Sequence, residues 1–481
     1  MKLSTSADNA DHSEIADRRV FVALLALLVY APLPLASNRT WAIAILVLGV
    51  TLIFCWGMFH WLRQWDWLCK RLATFALPIG LFFVFVLISV LQVLPLPDAL
   101  VASFSPEAYR VQSLAGLQGA MHLSLDVYQS RIMLALTCSY FMVFMMCILM
   151  VRDSERINTL ATTLVWSGLF QAMLGIILFS FGAHYRIFFN EILHENVIGT
   201  FVNRNHFAGY MEMTLALGIG LMIAKLGNHR ASNPGWKLKI VAALNFMMSS
   251  KMRFRLMLVV MVIALVLTRS RMGNTAFFSA MLVVGILTVL ISRKNAPATA
   301  ALILSLVIVD VFVIGTWVGL EKVVSRIHET QLVASDVHTE ETIEERTLPA
   351  KYSLNLIRDF PLFGTGGGSY YDAFIRYRSS EMTAFFDHAH NDYAEITADM
   401  GLIATASMLL LSLSCLFVAI KTIYTRRSSM ARGVAFGSAM GIVAIAIHSW
   451  VDFNLQIPAN ALTFVVVISL SWLAYKLPSR A

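Results

Sequence analysis

The stretch DHAHNDYAEITADMGLIATASMLLLSLSCLFVAI, residues 387–420, decides the architecture. Five of its first six residues are polar, two histidines, two aspartates and an asparagine, whereas across 394–420 only Glu395 and Asp399 carry charge. The apolar run is longer than the roughly 20 residues that a bilayer crossing needs. It reads as a helix that enters lipid from a polar rim. Eleven more runs repeat the theme, at 21–36, 41–59, 72–93, 132–150, 160–181, 207–224, 254–268, 275–291, 300–317, 434–447 and 459–475. Of the 481 residues, 58% are hydrophobic and 14% charged, against about 45–50% and about 25% in soluble domains. No single core shelters so many apolar side chains, which excludes a soluble globular protein. The runs lack the alternation of barrel strands, so each must satisfy its own backbone as a helix. The expected fold is all-α and integral to the membrane, with about 12 transmembrane helices.

Lysine and arginine set the orientation. With the N-terminus in the cytoplasm, Arg18, Arg19, Arg63, Lys70, Arg71, Arg152, Arg156, Arg293, Lys294, Lys421, Arg426, Arg427 and the basic residues of 225–255 all fall on inner loops. Both termini are then cytoplasmic. The formal charge of +8 reports this loop bias, so the lipid bilayer is the expected partner and nucleic acid is not. A polar segment before the first run and the tight Ser37-Asn38-Arg39 turn after it indicate a retained anchor rather than a cleaved signal peptide. The five cysteines show no spacing typical of a disulfide framework or metal site.

The expected organisation is an inner segment 1–19, helices one to nine in 20–317, an outer loop 318–393, helices ten to twelve in 394–475 and an inner tail 476–481. A second outer segment covers 94–130. In the large loop, Leu348, Tyr352 and Leu356 recur at spacings of four, predicting an amphipathic helix from Arg346 to Arg358 that Pro361 stops. Gly364-Thr365-Gly366-Gly367-Gly368 follows. It lacks the Lys-Ser/Thr of a phosphate-binding P-loop and reads as a hinge.

Four polar clusters stand at the outer ends of helices, where packing against lipid does not ask for them. They are Asn203-Arg204-Asn205-His206, Arg269-Ser270-Arg271, the 387–392 segment, and His448-Ser449-Trp450-Val451-Asp452-Phe453-Asn454. Each taken alone has a plain structural explanation: arginines snorkel, and a lone histidine caps a helix. Four on one face point to a site. Outer arginines run against the positive-inside bias, and a guanidinium fork suits the phosphate oxygens of lipid-linked anions. His390 offers a neutral imidazole near pH 7, as a general base needs. His388 and His390 with Asp387 and Asp392 have the residue types of a divalent-metal site but lack an evident third ligand, so no metal and no cofactor is expected. His448 and Asp452, four apart, share a face if one helix carries both and could then bond each other; a simple polar cap is the equal alternative. Asp310, inside the ninth run, is an intramembrane acid and the best residue for a transporter reading.

His390-Asn391, nine residues, and Gly401-Leu402-Ile403-Ala404 resemble the signature of the bacterial O-antigen ligase and polysaccharide polymerase superfamily. Asn203-Arg204-Asn205-His206-Phe207-Ala208-Gly209, Thr268-Arg269-Ser270-Arg271-Met272-Gly273 and the 448–460 segment resemble it too, in order across roughly residues 190–470. The resemblance implies an inner-membrane glycosyltransferase of the GT-C type, with one large periplasmic loop between helices nine and ten. Its donor is a glycan on undecaprenyl pyrophosphate, and its acceptor is another glycan or a lipid such as the lipid A core. Polysaccharide export proteins are further candidate partners. By position, His390, flanked by Asn391 and Asp392, matches the family's essential histidine, and Arg204, Arg269 and Arg271 match its external arginines. His206, His388, His448 and Asp452 are further candidates. The ligase form of the motif usually ends in Gly, Thr or Tyr where this chain has Ala404, which favours a repeat-unit polymerase over a ligase. A lipid-linked sugar flippase is the rival of a different class, and it predicts internal repeats and polar residues at mid-membrane.

Overall fold

The computed structural model describes residues 4–117, 119–182, 184–187, 190–193, 196–225, 250–291, 343–380, 382 and 386–477. The ninth apolar run with Asp310, and the outer loop up to residue 342, lie outside the described residues. The helices, in chain order, are α1 (Ser4–Tyr30), α2 (Thr40–Trp61), α3 (Trp65–Thr74), α4 (Ala76–Val93), α5 (Asp98–Phe104), α6 (Pro106–Leu114), α7 (Val127–Met150) and α8 (Ser154–Ser180). They continue with α9 (Arg204–Lys225), α10 (Ser250–Leu267), α11 (Arg271–Ile291), α12 (Ile343–Asp359), α13 (Tyr370–Phe374), α14 (Asp392–Thr425), α15 (Ser429–His448) and α16 (Pro458–Lys476). Two short antiparallel pairs join them, Leu96–Pro97 with Ala120–Met121 and His184–Ile187 with Asn190–Leu193. Every apolar run that falls on described residues lies wholly or mostly in helix. Among the described residues, nine helices are long and apolar enough to cross a membrane.

The bundle closes around α9. Its side chains are buried almost without break from His206 to Ala224, which a helix achieves only when neighbours enclose it on all sides. The closest neighbour is α15, and small residues make the approach. A Cβ on Gly220 would strike the Gly433 carbonyl and lie 2.8 Å from the Gly437 nitrogen, so the two backbones touch directly. The helices run antiparallel, with Gly220 against Gly433 near one end and Glu212 against His448 near the other. At the end of the bundle away from His390, Arg71 donates to the carbonyls of Ile148 (2.9 Å) and Val151 (2.8 Å). Beside it Arg152 pairs with Asp17 at 3.2 Å.

A smaller apolar cluster sits beside the bundle. The predicted amphipathic helix is there as α12, with Leu356 buried and Leu348 and Tyr352 packed against Val101, Met121, Phe360, Phe374 and Phe386. The 94–125 segment and the 348–398 segment therefore share one core.

The long helix α14 is interrupted at Gly401 (φ 77°, ψ 170°). The glycine run fills that break. The Thr365 and Gly366 N–H groups donate to the carbonyls of Ala398 and Asp399, both at 2.9 Å, and the Leu402 N–H donates to the Pro361 carbonyl at 2.8 Å. These bonds satisfy backbone groups that the interruption frees. Gln92 on α4 reinforces the joint: its amide donates to Phe363 O and Asp399 O and accepts from the Gly367 N–H. A side chain at Gly364 (φ 67°) would strike the Asp399 carbonyl, which is why glycine stands there. The hinge reading of the glycine run is thus overturned. It is a packed staple that fixes the first two turns of α14.

Candidate functional site

Phe453 organises the site. The His388 ring stacks on it at 4.0 Å between centroids, with 15° between the planes. His206 and His390 meet the same ring edge-on at 4.6 and 5.1 Å, and His390 also meets Phe386 at 5.8 Å. Three histidines from two separate stretches of sequence therefore converge on one aromatic ring from a third, which sequence reasoning did not single out.

The turn that carries Phe453 is built by the start of α14. Asn391 caps that helix by accepting from the Ala394 N–H (3.0 Å), and its amide donates to the Trp450 carbonyl (2.8 Å). Asp392 is buried. Its carboxylate accepts from Ser449 Oγ at 2.6 Å and from the Leu455 N–H at 3.1 Å, and its own N–H donates to Ser449 O and Asp452 O. Both side chains thus hold the 449–455 turn, and the turn holds the ring against which His390 rests. His390 itself has a left-handed backbone (φ 48°), as does Arg269 (φ 54°), a conformation that costs free energy in a non-glycine residue and concentrates at functional sites.

The reading of a bond between His448 and Asp452 is overturned. Helix α15 ends at His448, so Asp452 lies in the turn beyond it and the two do not share a helical face. His448 Nδ1 instead meets Glu212 Oε1 at 2.7 Å, with both side chains fully buried. Asp452 turns toward His206, whose Nε2 lies 3.4 Å from its carboxylate. Burial alone would raise Asp452, but the charges of His206 and His448 and the Phe453 N–H hold it below the ordinary carboxylate range.

His388 is paired as well. Its Nδ1 lies 2.6 Å from Glu395 Oε1, while Glu395 Oε2 accepts from the Ala389 N–H at 2.8 Å. Burial disfavours the imidazolium, and the Glu395 carboxylate, through charge and hydrogen bond, overcomes it with help from Asp387 and Asp399. The His388 pKa is raised to about 9. At neutral pH it is a cation and a donor.

The arginines stand on the other flank. Arg204 is the first residue of α9, two positions before His206, and Arg271 is the first of α11. Arg269 is exposed in the turn before α11; its N–H donates to the Val266 carbonyl at 3.0 Å, and its side chain makes no hydrogen bond or ion pair among the described residues. Close packing joins this flank to the ring. A Cβ on Gly273 would lie 2.6 Å from Ala208, and one on Gly209 would strike Asn454. Asn460 donates to the His206 carbonyl at 2.9 Å and to Asn454 Oδ1 at 3.1 Å. The N-termini of α9, α11, α14 and α16 therefore meet at one end of the bundle, where their dipoles and the arginines together favour an anion.

Sequence reasoning missed Glu212, Glu395 and Asp399. Glu212 carried a usable signal, since it is an acid inside an apolar run and the logic applied to Asp310 applies to it equally. Among the described residues no group of histidine, cysteine and acidic side chains has the arrangement to hold a metal.

A family model described as O-antigen ligase matches residues 256–409, a stretch that contains Arg269, Arg271, His388, His390 and Glu395. No curated protein matches the chain.

Proposed function

We propose that this protein belongs to the O-antigen ligase-related superfamily, whose family model matches residues 256–409, and is a membrane glycosyltransferase of the GT-C type and, more narrowly, a polysaccharide repeat-unit polymerase. It would take a glycan from undecaprenyl pyrophosphate at the periplasmic face of the bacterial inner membrane, with both termini in the cytoplasm. The observation that carries this reading is the gathering of His390, His388 and His206 on Phe453, at the end of the bundle that bears Arg204, Arg269 and Arg271.

Transfer forms a bond between an acceptor hydroxyl oxygen and the anomeric carbon, and breaks the bond from that carbon to the diphosphate. The proton of the hydroxyl goes to the His390 imidazole, and the electron pair of the broken bond leaves with the diphosphate. Negative charge grows on the leaving group, so Arg204, Arg269 and Arg271 stabilise the transition state more than the ground state. His388 is protonated at neutral pH and cannot take the proton, which leaves that role to His390. Asn391 and Asp392 act through the turn that bears Phe453. The outer cluster around α12 and α13 shields the reacting groups from water, the competing acceptor.

A second reading is a ligase that attaches the glycan to lipid A core. The description of the matched family favours it, and Ala404 favours the polymerase. Glycan ladders from a deletion strain separate the two: a polymerase deletion loses chain extension, whereas a ligase deletion accumulates unattached polymer. The transferase reading itself is tested with His390→Ala, assayed on purified protein with lipid-linked oligosaccharide. Loss of a positioned general base costs about 10²–10⁴-fold in rate, with membrane level unchanged. Product of wild-type length and yield from this variant overturns the mechanism.

A further inference from the structure

A pocket of about 270 Å³ opens beside His388, between the start of α7, the 368–371 turn and the first turns of α14. Its charged lining is Asp387, His388, Glu395 and Asp399, without lysine or arginine. Asn38, Gln129, Tyr370, Tyr371 and Gln456 add uncharged polar groups to the wall. Asp399 is buried, and only one of its oxygens is met: Oδ2 accepts from the Gly368 N–H at 2.8 Å, while Oδ1 is buried and accepts no hydrogen bond among the described residues. A buried acceptor left without a donor is costly, and a ligand that brings a donor removes the cost.

Charge decides which ligand. A diphosphate brings only acceptors and negative charge, and the Asp387 and Glu395 carboxylates, set against the single cation His388, leave this pocket without the positive charge to hold it. A saccharide brings neighbouring O–H donors, to which a carboxylate offers several lone pairs, and a sugar face packs well on tyrosine. The pocket also shares Met133, Asp399 and Gln456 with an apolar crevice of about 420 Å³ that runs between α14, α15 and α16. That crevice offers a path for the lipid chain on which such a saccharide travels. His388 and His390 both rest on Phe453, at 4.0 and 5.1 Å, so their rings lie within about 9 Å of each other. A short saccharide bridges that separation.

We propose that this pocket binds the acceptor saccharide through its hydroxyl groups, with Asp399 and Glu395 accepting from them, and presents the attacking hydroxyl to His390. The assignment rests on the transferase reading above. It divides the site in two, an acidic half for the acceptor and an arginine-bearing half for the donor diphosphate.

The test uses the full chain in lipid nanodiscs and, as probe, the free oligosaccharide released by mild acid from the lipid-linked repeat of a strain deleted for this protein. That probe carries hydroxyls and no diphosphate. Wild type should bind it, and Asp399→Asn, which keeps an acceptor for the Gly368 N–H, should weaken binding by about tenfold, the worth of one good hydrogen bond. Gln129→Ala and Tyr371→Ala, at exposed positions that folding tolerates, should weaken it by about threefold each and carry the test if Asp399→Asn does not fold. Arg269→Ala and Arg271→Ala should leave oligosaccharide binding unchanged and weaken binding of undecaprenyl pyrophosphate alone. No binding by wild type, equal binding by wild type and the pocket variants, or weakening by the arginine variants instead would overturn the proposal. Binding is scored without turnover. A chain that binds the oligosaccharide in this pocket yet transfers nothing therefore supports the pocket and sinks only the transferase reading.

Discussion

Two histidine–carboxylate pairs of nearly equal length serve this molecule differently. His448 and Glu212 meet at 2.7 Å with no exposure on either side, deep between α15 and α9. His388 and Glu395 meet at 2.6 Å, but the histidine side chain keeps 30% exposure and borders a pocket. The first pair joins two helices whose backbones already touch through Gly220 and Gly433. It locks the arginine-bearing end of α9 to the end of α15, from which the Phe453 turn departs. The second pair orients a ring that stacks on Phe453 and faces a cavity. Chemistry of one kind is thus a fixed strut in one place and an adjustable wall in the other, and burial makes the difference.

Removing one partner of each pair should separate these roles. Glu212→Ala leaves a fully buried imidazole without its acceptor, and breaking a buried pair in this way costs on the order of 3–5 kcal/mol. Thermal unfolding of purified protein should show that loss, and the level in the membrane should fall with it. Glu395→Ala removes a carboxylate that is itself buried, but its partner His388 keeps 30% exposure and is hydrated from the pocket, so the level and the melting temperature should fall less. If both variants accumulate and melt alike, the distinction between strut and wall is wrong.

The strut was hidden from sequence reasoning for a physical reason. Apolar runs declare themselves because a bilayer demands length and hydrophobicity, and polar clusters at their ends stand out against that background. Hence the described helices of the bundle, the amphipathic α12 and the four polar clusters at helix ends were all legible. Pairing was not. His448 lies 236 residues from Glu212, and nothing in a single chain states which helices touch. The sequence distance of four between His448 and Asp452 suggested a local bond, but the helix ends at His448 and sends the aspartate to His206 instead. The glycine run misled for a related reason. Glycine permits mobility and it also permits close approach, and only the break at Gly401, filled by Gly364 and its neighbours, decides for approach. Phe453 escaped notice because an aromatic residue in an apolar chain is unremarkable until three imidazoles are seen to rest on it.

Phe453 is where strut and wall meet, and replacing it sharpens the comparison. Phe453→Leu preserves apolar bulk and removes the planar surface that His206, His388 and His390 share. An aromatic pair contributes about 0.5–1.5 kcal/mol beyond burial, so loosening His390 by that amount should lower turnover by up to about tenfold. Substrate affinity should change little, because the ring lines neither the acidic pocket nor the apolar crevice. Phe453→Tyr or Phe453→Trp should recover most of the turnover. A fall in affinity without a fall in turnover would mean that the ring serves binding and does not position His390.

The smallest effect expected is a pH dependence confined to the wall. The His388 pKa is raised in the folded protein to about 9, above the value near 6.5 of an unperturbed histidine. A group raised in this way contributes stability that is full below its unfolded pKa and disappears as pH climbs through its folded one. The window is therefore pH 6.5 to 9, and the side chain's 30% exposure keeps the contribution modest through solvent screening. Wild-type melting temperature, followed from neutral pH upward, should carry a downward step that is complete a little above pH 9. Glu395→Gln removes the charge that raises His388 and keeps a side chain of similar shape. Its melting curve should lack that step. An unchanged step in the Glu395→Gln protein would assign the titration to another group and leave the His388 pair without the adjustable role that distinguishes it from the buried one.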